Sequence, residues 1–439
     1  MRTWEDRQLG INNSLRGARV VIKPSDNLIF KALYGQQRSG FDVSEGKIFG
    51  FDADVSLSAM LGAENFDYSF GLSYVGRNEP TTLLNPAFYE TTNAFSGRFN
   101  LGYNTFYFST EYNYKAKDVV LKNNTLTNDF VKEGSAILVN FGYTQKSLGI
   151  DVSLRRIENF SILSERLPET VDIENTSLNY NDMILNYTPA LTKQHHSNLA
   201  NIYVFQAQNR VSYDATDIMK AGETGGQIDV FYSFKKGTKL GGKYGTKVAL
   251  NLASWYNLPG SYSFYPSNYE VEFFGVGKKY FSDYNFELKK KLSEKLHGGF
   301  TYINQYYNKR WLEGSQSTKP VKTNIFATEM TYSLSDKQSI RVEGEHLWTK
   351  EDKKNWAGAT VEYSLNQNLS FYVWDIYNYG NDDAKKQIHY YNTGGAYRFK
   401  STRIALNYGR QRGGLVCVGG VCRFVPESTG FTLSLNTSF

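Results

Sequence analysis

The sequence predicts an all-β fold, a transmembrane antiparallel up-and-down β-barrel of about 18–20 strands with short periplasmic turns and long extracellular loops. Three observations carry that prediction. Bulky apolar and small polar residues alternate at period two along the chain, with no comparable stretch at period 3.6. The alternating segments number roughly nineteen and run about 9 to 13 residues, which a tilted strand needs to cross a bilayer, whereas soluble strands average about 5 or 6. The links between them sort into tight and long ones, which a soluble sandwich has no reason to do.

Taken in order, Tyr68, Phe70, Leu72 and Tyr74 alternate with Ser69, Gly71 and Ser73, and Phe95, Phe99, Leu101 and Tyr103 with Ser96, Arg98, Asn100 and Gly102. Phe106, Phe108, Tyr112 and Tyr114 alternate with Ser109, Glu111, Asn113 and Lys115; Leu148, Ile150, Val152 and Leu154 oppose Gly149, Asp151, Ser153 and Arg155. Ile228, Val230, Tyr232 and Phe234 turn away from Asp229, Ser233 and Lys235, as do Tyr284, Phe286 and Leu288 from Asn285, Glu287 and Lys289. Ile404, Leu406 and Tyr408 oppose Arg403, Ala405 and Asn407. In the final segment Phe431, Leu433, Leu435 and Phe439 share one side, and Thr432, Ser434, Asn436 and Ser438 the other. Side chains change face at every residue of a strand, so each segment has one greasy flank for lipid and one polar flank for a watery lumen.

Tight links fall at Ser25-Asp26-Asn27, Asn104-Thr105, Lys146-Ser147, Ser293-Glu294-Lys295, Asp336-Lys337, Gln367-Asn368 and Lys400-Ser401. Long ones cover 79–92, 122–133, 161–224, 258–279, 312–321, 381–387 and 413–429. If the last strand ends in the periplasm, the first, near Ser14 to Pro24, runs inward. It then expects an outward partner from residues 1–9 or from chain ahead of this numbering. The opening "MRTWEDRQLG" lacks the apolar centre of a secretory signal, so if the protein is exported, this numbering is expected to begin inside a longer precursor.

With only 9 Pro and no linker-like change of composition, residues 1–439 read as one domain. Aromatic residues make up 15%, with 33 Tyr and 29 Phe, although mean hydropathy is negative; that pairing suits a barrel wet inside and greasy outside. No apolar run reaches about 18 residues, which excludes a helical span. The net charge of +6 is spread along the chain and argues against nucleic acid as a partner. Nothing in the sequence calls for a cofactor.

On the polar flank the charges are of both signs. Arg341, Glu343 and Glu345 share one side of "SIRVEGEHLW", and Arg16, Arg19, Asp52, Asp54, Arg98, Glu111, Asp151, Arg155, Lys247, Arg398 and Arg403 are expected to point inward with them. Such charges either line a hydrated path or brace the barrel through salt bridges, and they imply no strong ion selectivity. Cys417 and Cys422 flank a Gly-Gly pair in "CVGGVC", so the two face each other across a small hairpin. A disulfide there closes a loop of about six residues and contributes about 2 kcal/mol by chain entropy; a free pair or half a metal site are the alternatives. The 161–224 segment far exceeds ordinary connections. Its apolar residues, among them Met183, Leu199, Ile202, Val204 and Phe205, suit either a constriction folded into the lumen or a self-packed exterior cap. His195, His196, His346 and His389 raise the possibility of a hydrolase at the rim, but no spacing ties a nucleophile to a base. The expectation is therefore no enzyme.

The tail "NYGRQRGGLVCVGGVCRFVPESTGFTLSLNTSF", together with "RTWEDRQLGINNSLRGARV", resembles an uncharacterised outer-membrane β-barrel family of Bacteroidetes-type bacteria. The similarity runs over most of the chain, and "CVGGVC" is its most specific mark. The resemblance implies a barrel in the bacterial outer membrane, sometimes within multi-protein assemblies, with outer-membrane lipid and such assemblies as its partners. It also implies that Phe431, Leu433, Leu435 and Phe439 form the aromatic C-terminal signal for barrel assembly. Two functions follow: a porin-like or gated channel for small solutes, or a non-conducting subunit anchoring a larger assembly for protein export or barrel assembly.

Overall fold

Nineteen strands form one sheet in the computed structural model, which describes residues 15–39, 42–58, 62, 65–79, 90–122, 125–163, 166, 183–186, 193, 195–205, 207–418 and 421–438. The strands are Leu15–Ser25, Leu28–Ser39, Asp42–Ser56, Phe66–Asn78, Thr91–Tyr103, Phe106–Lys122, Thr125–Gln145, Leu148–Glu158, Gly222–Phe234 and Thr246–Tyr256, followed by Lys279–Lys291, Leu296–Tyr307, Val321–Ser333, Ser339–Trp348, Trp356–Ser364, Leu369–Tyr377, His389–Phe399, Thr402–Gln411 and Ser428–Thr437. Each pairs antiparallel with the next in chain order. No helix among the described residues is long and apolar enough to cross a membrane.

The sheet is not closed. Its first and last strands, Leu15–Ser25 and Ser428–Thr437, have no partner on one edge among the described residues. In a meander with an odd number of strands the two end strands run the same way, so an antiparallel seam cannot join them directly.

Register turns the alternation into two continuous faces. Ser73↔Ser96, Arg98↔Glu111, Leu138↔Arg155 and Gly225↔Arg155 lie on one, as do Asp283↔Gln305 and Ala327↔Glu345 farther along. The opposite face carries exposed large apolar residues on every wall strand, from Val20 and Phe51 through Leu72, Phe95, Leu154, Leu252 and Val373 to Leu406 and Leu433. Arg16 departs from expectation: three residues from Arg19, it falls on the apolar side, paired with Gln36 while Arg19 pairs with Leu33. Residues 125–133, expected within a loop over 122–133, are strand. The ladder runs on from Asp118↔Lys132 to Lys122↔Thr125, and the extension is held above the wall by Phe130, buried against Val211, Tyr213 and Tyr269.

Close approach explains one wall glycine. Gly142 pairs with Tyr107, whose ring covers it and whose hydroxyl donates to Asp151 at 2.7 Å. A β-carbon at position 142 would run into that ring. Gly142→Ala is expected to lower stability by about 1–3 kcal/mol in urea unfolding from vesicles, and Tyr107→Ala made with it to recover part of that loss.

Candidate functional site

The described parts of the segment joining Leu148–Glu158 to Gly222–Phe234 lie over the polar face. Its departing leg puts Phe160 against Ala136 and Ile157, then Ile162 against Ile48, Val75 and Ala94. Arg166 follows, with its backbone N–H 3.0 Å from the Glu79 carboxylate and its Nε 2.9 Å from Asp118. Its returning leg, 195–205, crosses the other half of the sheet. Leu199 and Ala200 sit among Ile303, Ile325, Leu347, Trp356 and Ile376. Tyr203 packs with Trp255, Phe281 and Tyr307, and Phe205 stacks on Trp255 and Phe281 with ring centroids 5.9 and 5.3 Å away. Leucine and aromatic side chains are driven onto this face because the wall offers apolar residues there near the long-loop rim.

Polar contacts fix the register of this strap. Glu345 accepts from the Ser197 hydroxyl at 2.5 Å and from the backbone N–H groups of Leu199 and Asn198 at 2.9 and 3.2 Å. Those N–H groups are free because a single 3-10 turn, Leu199–Asn201, starts there and leaves its first donors without intrahelical acceptors. His195 Nε2 lies 2.9 Å from Asp283 Oδ2, and Gln305 Nε2 donates to that same oxygen at 3.0 Å and to the Ala200 carbonyl at 3.2 Å. Lys193 Nζ is 2.5 Å from Glu287. Farther along, the buried Arg155–Glu223 pair receives the N–H of Gln208 at 2.5 Å.

The strap is also tied to the long-loop rim. The Tyr203 hydroxyl donates to Asp352 at 2.9 Å, and Lys309 Nζ donates to the other carboxylate oxygen at 2.7 Å. Burial works against the charged form of Asp352, yet Lys309 and the tyrosine hold its pKa below the ordinary aspartate value. A carboxyl depressed in the folded state stabilises it above the unfolded pKa and loses that contribution as pH falls through the folded value. Acidification below about pH 4 is therefore expected to weaken this tie. Proteolysis of the strap across a pH series measures it, and Asp352→Asn should flatten the profile.

The residues singled out in the sequence are distributed as follows. Arg98 bonds Asp52 and Asp54, each at 2.7 Å, and Glu111 accepts from Ser96 at 3.1 Å. Asp151 is held by Tyr107. Arg341 bonds Glu329 at 3.0 Å and Glu343, and lies 3.4 Å from Glu362. Arg398 and Arg403 are register partners at the short-turn end of the sheet. The Cα positions of Cys417 and Cys422 are also register partners, across the Gly414–Val418 and Val421–Val425 hairpin; their side chains lie outside the described residues, among which there is no disulfide. Phe431, Leu433 and Leu435 point to the apolar side, and Phe439 lies outside the described residues.

Sequence reasoning missed Asp283, Gln305 and Glu223 as strap anchors. Their alternation placed them on the polar flank, but nothing local marks which polar residues meet a distant loop. His196 Nε2 stands 3.6 Å from Glu343, and with Glu329 these ligand atoms lie within 4.8 Å of one another, a donor set that suits a cation; Arg341 already bonds both carboxylates. His346 and His389 sit on the apolar side, bonded to Tyr379 at 2.7 Å and Asp375 at 2.8 Å. Among the described residues no serine, threonine or cysteine side chain hydrogen-bonds His195 or His346.

A family model matches residues 1–439, the whole chain. The chain belongs to that family, the Family of unknown function (DUF6029). Solved structures similar to this DUF6029 chain include the copper transporter OprC, at 12% identity over 96% of this chain and 70% of the transporter, with a TM-score of 0.44. A triple mutant of Rhodopseudomonas blastica porin is similar at 10% identity over 85% of this chain and 98% of the porin, with a TM-score of 0.32. No curated protein matches the chain.

Proposed function

We propose that this DUF6029 protein is a closed β-barrel in the outer membrane of a Bacteroidetes-type bacterium, acting as a channel for small solutes rather than as an enzyme, its lumen narrowed by the 195–205 strap. The observation that carries this reading is the pair of faces. An exposed apolar surface that continues across all nineteen strands far exceeds the few hundred Å² a soluble monomer leaves uncovered, and hydrocarbon is the medium that matches it. The opposite face holds Arg98, Asp52, Asp229, Asn251, Asn285 and Arg341, side chains that belong beside water. Closure needs either a parallel seam between the two end strands or one further strand antiparallel to both. A disulfide between Cys417 and Cys422 stiffens the last long loop in this reading.

Recording from the purified protein in planar bilayers tests the proposal. A channel gives discrete, stable steps whose size is small for a barrel of this width because the strap occupies part of the section. A protein that inserts and stays electrically silent, with and without its strap, would instead be the anchoring subunit of an outer-membrane assembly.

A further inference from the structure

The short-turn end of the polar face carries positive charge that the wall neutralises only in part. There a cavity of about 470 Å³ is lined by Lys235, Lys247, Lys289 and Lys291, with Phe234 and Tyr244 as its apolar part. Lys247 and Lys289 are register partners on the polar face, and like charges set directly opposite each other on a ladder repel. Two carboxylates lie nearby, Glu329 in the cavity lining and Glu287 within ion-pair reach of Lys289, and each is also bonded by another cation. Glu329 is bonded by Arg341 at 3.0 Å; Glu287 is bonded by Lys193 at 2.5 Å and lies 3.9 Å from Lys289. Lys235 and Lys247 make no ion pair among the described residues. The same device recurs at this end of the sheet: Arg398 and Arg403 are register partners and, with Lys337, line a second cavity of about 330 Å³.

We propose that this end is a binding site for multivalent oxyanions, solutes carrying two or more phosphate or carboxylate groups that bridge Lys247 and Lys289. The assignment of this end to the periplasmic mouth rests on the channel reading above, and the proposal names the class of solute it takes. A monovalent anion relieves the repulsion of one ammonium at a time, whereas a bridging one is attracted by both at once. Because Lys247 and Lys289 share the polar face, their partner is a dissolved anion in the mouth and not a lipid headgroup at the outer wall.

Calorimetric titration of the whole protein in a zwitterionic detergent tests this, with sodium tripolyphosphate, orthophosphate and chloride compared at constant ionic strength. Tripolyphosphate is expected to bind about tenfold or more tightly than orthophosphate, and Lys247→Gln with Lys289→Gln to weaken it by about tenfold or more. A charge-matched pair at the opposite rim, Lys319→Gln with Lys385→Gln, should leave it within about twofold. Lys247→Arg with Lys289→Arg keeps the charges and should keep binding, which separates lost charge from lost fold. Absent tripolyphosphate binding, equal loss in both glutamine pairs, or displacement by added phosphatidylglycerol would each overturn the proposal, the last by assigning the lysines to headgroups. The titration needs neither bilayer nor voltage, so a protein that binds tripolyphosphate and never conducts would end the channel reading and leave the anion site standing.

Discussion

Leu199→Asp is expected to raise single-channel conductance several-fold while leaving the wall folded. Leu199 is completely buried against Ile303, Ile325, Leu347 and Trp356, of which only Trp356 carries a hydrogen-bond donor, its single indole N–H. Placing an ionised group there costs several kcal/mol, more than the Glu345 and Asp283 contacts of the strap return. The strap then leaves the face, because its alternative is full hydration. The wall has no such dependence: its strands are held by continuous ladders on both sides, and only the strap's own contacts are lost. Bilayer recordings measure the conductance, and urea unfolding from vesicles checks the wall. An unchanged conductance with a demonstrably released strap would mean that 195–205 does not narrow the path.

The second large effect comes from adjacent residues of the last strand. Leu433→Arg is expected to destabilise the protein in phospholipid vesicles by about 2–4 kcal/mol, and Thr432→Arg by less than about 1 kcal/mol. Both positions are exposed, and they differ only in the face they occupy. In water the two substitutions would be nearly equivalent. In a bilayer the first drives a guanidinium into hydrocarbon and the second leaves it on the hydrated side. Refolding from urea into vesicles removes the cellular assembly machinery, so a defect at Leu433 cannot be ascribed to a spoiled assembly signal. Equal costs at the two positions would remove the hydrocarbon from the apolar face and the membrane from the proposal.

Much of the wall was legible because the information for it is local. Phe431-Thr432-Leu433-Ser434-Leu435 announces a strand and its two sides without reference to any other part of the chain, and Asn104-Thr105 or Lys400-Ser401 marks a turn by its neighbours alone. Reading failed where a local pattern was ambiguous. The polar run at 122–133 looks like a loop, yet residues 125–133 continue the ladder, supported by Phe130 packing on Tyr213 and Tyr269 from distant hairpins. Arg16 lies an odd number of residues from Arg19, so a pleated strand puts the two on opposite faces, and Arg16 takes the apolar one.

What the amino-acid order determined by itself is the two-sidedness of every wall strand, since a pleated backbone reverses its side chains at each step whatever surrounds it. The inward course of the strap was decided only in three dimensions. Ser197 meets Glu345 across 148 residues of chain, and Arg166 meets Glu79 across 87. Apolar residues in a long connection seek burial in any case; which surface receives them depends on where the folded wall presents Ile303, Leu347 and Trp356 beside a carboxylate ready for the strap's free N–H groups.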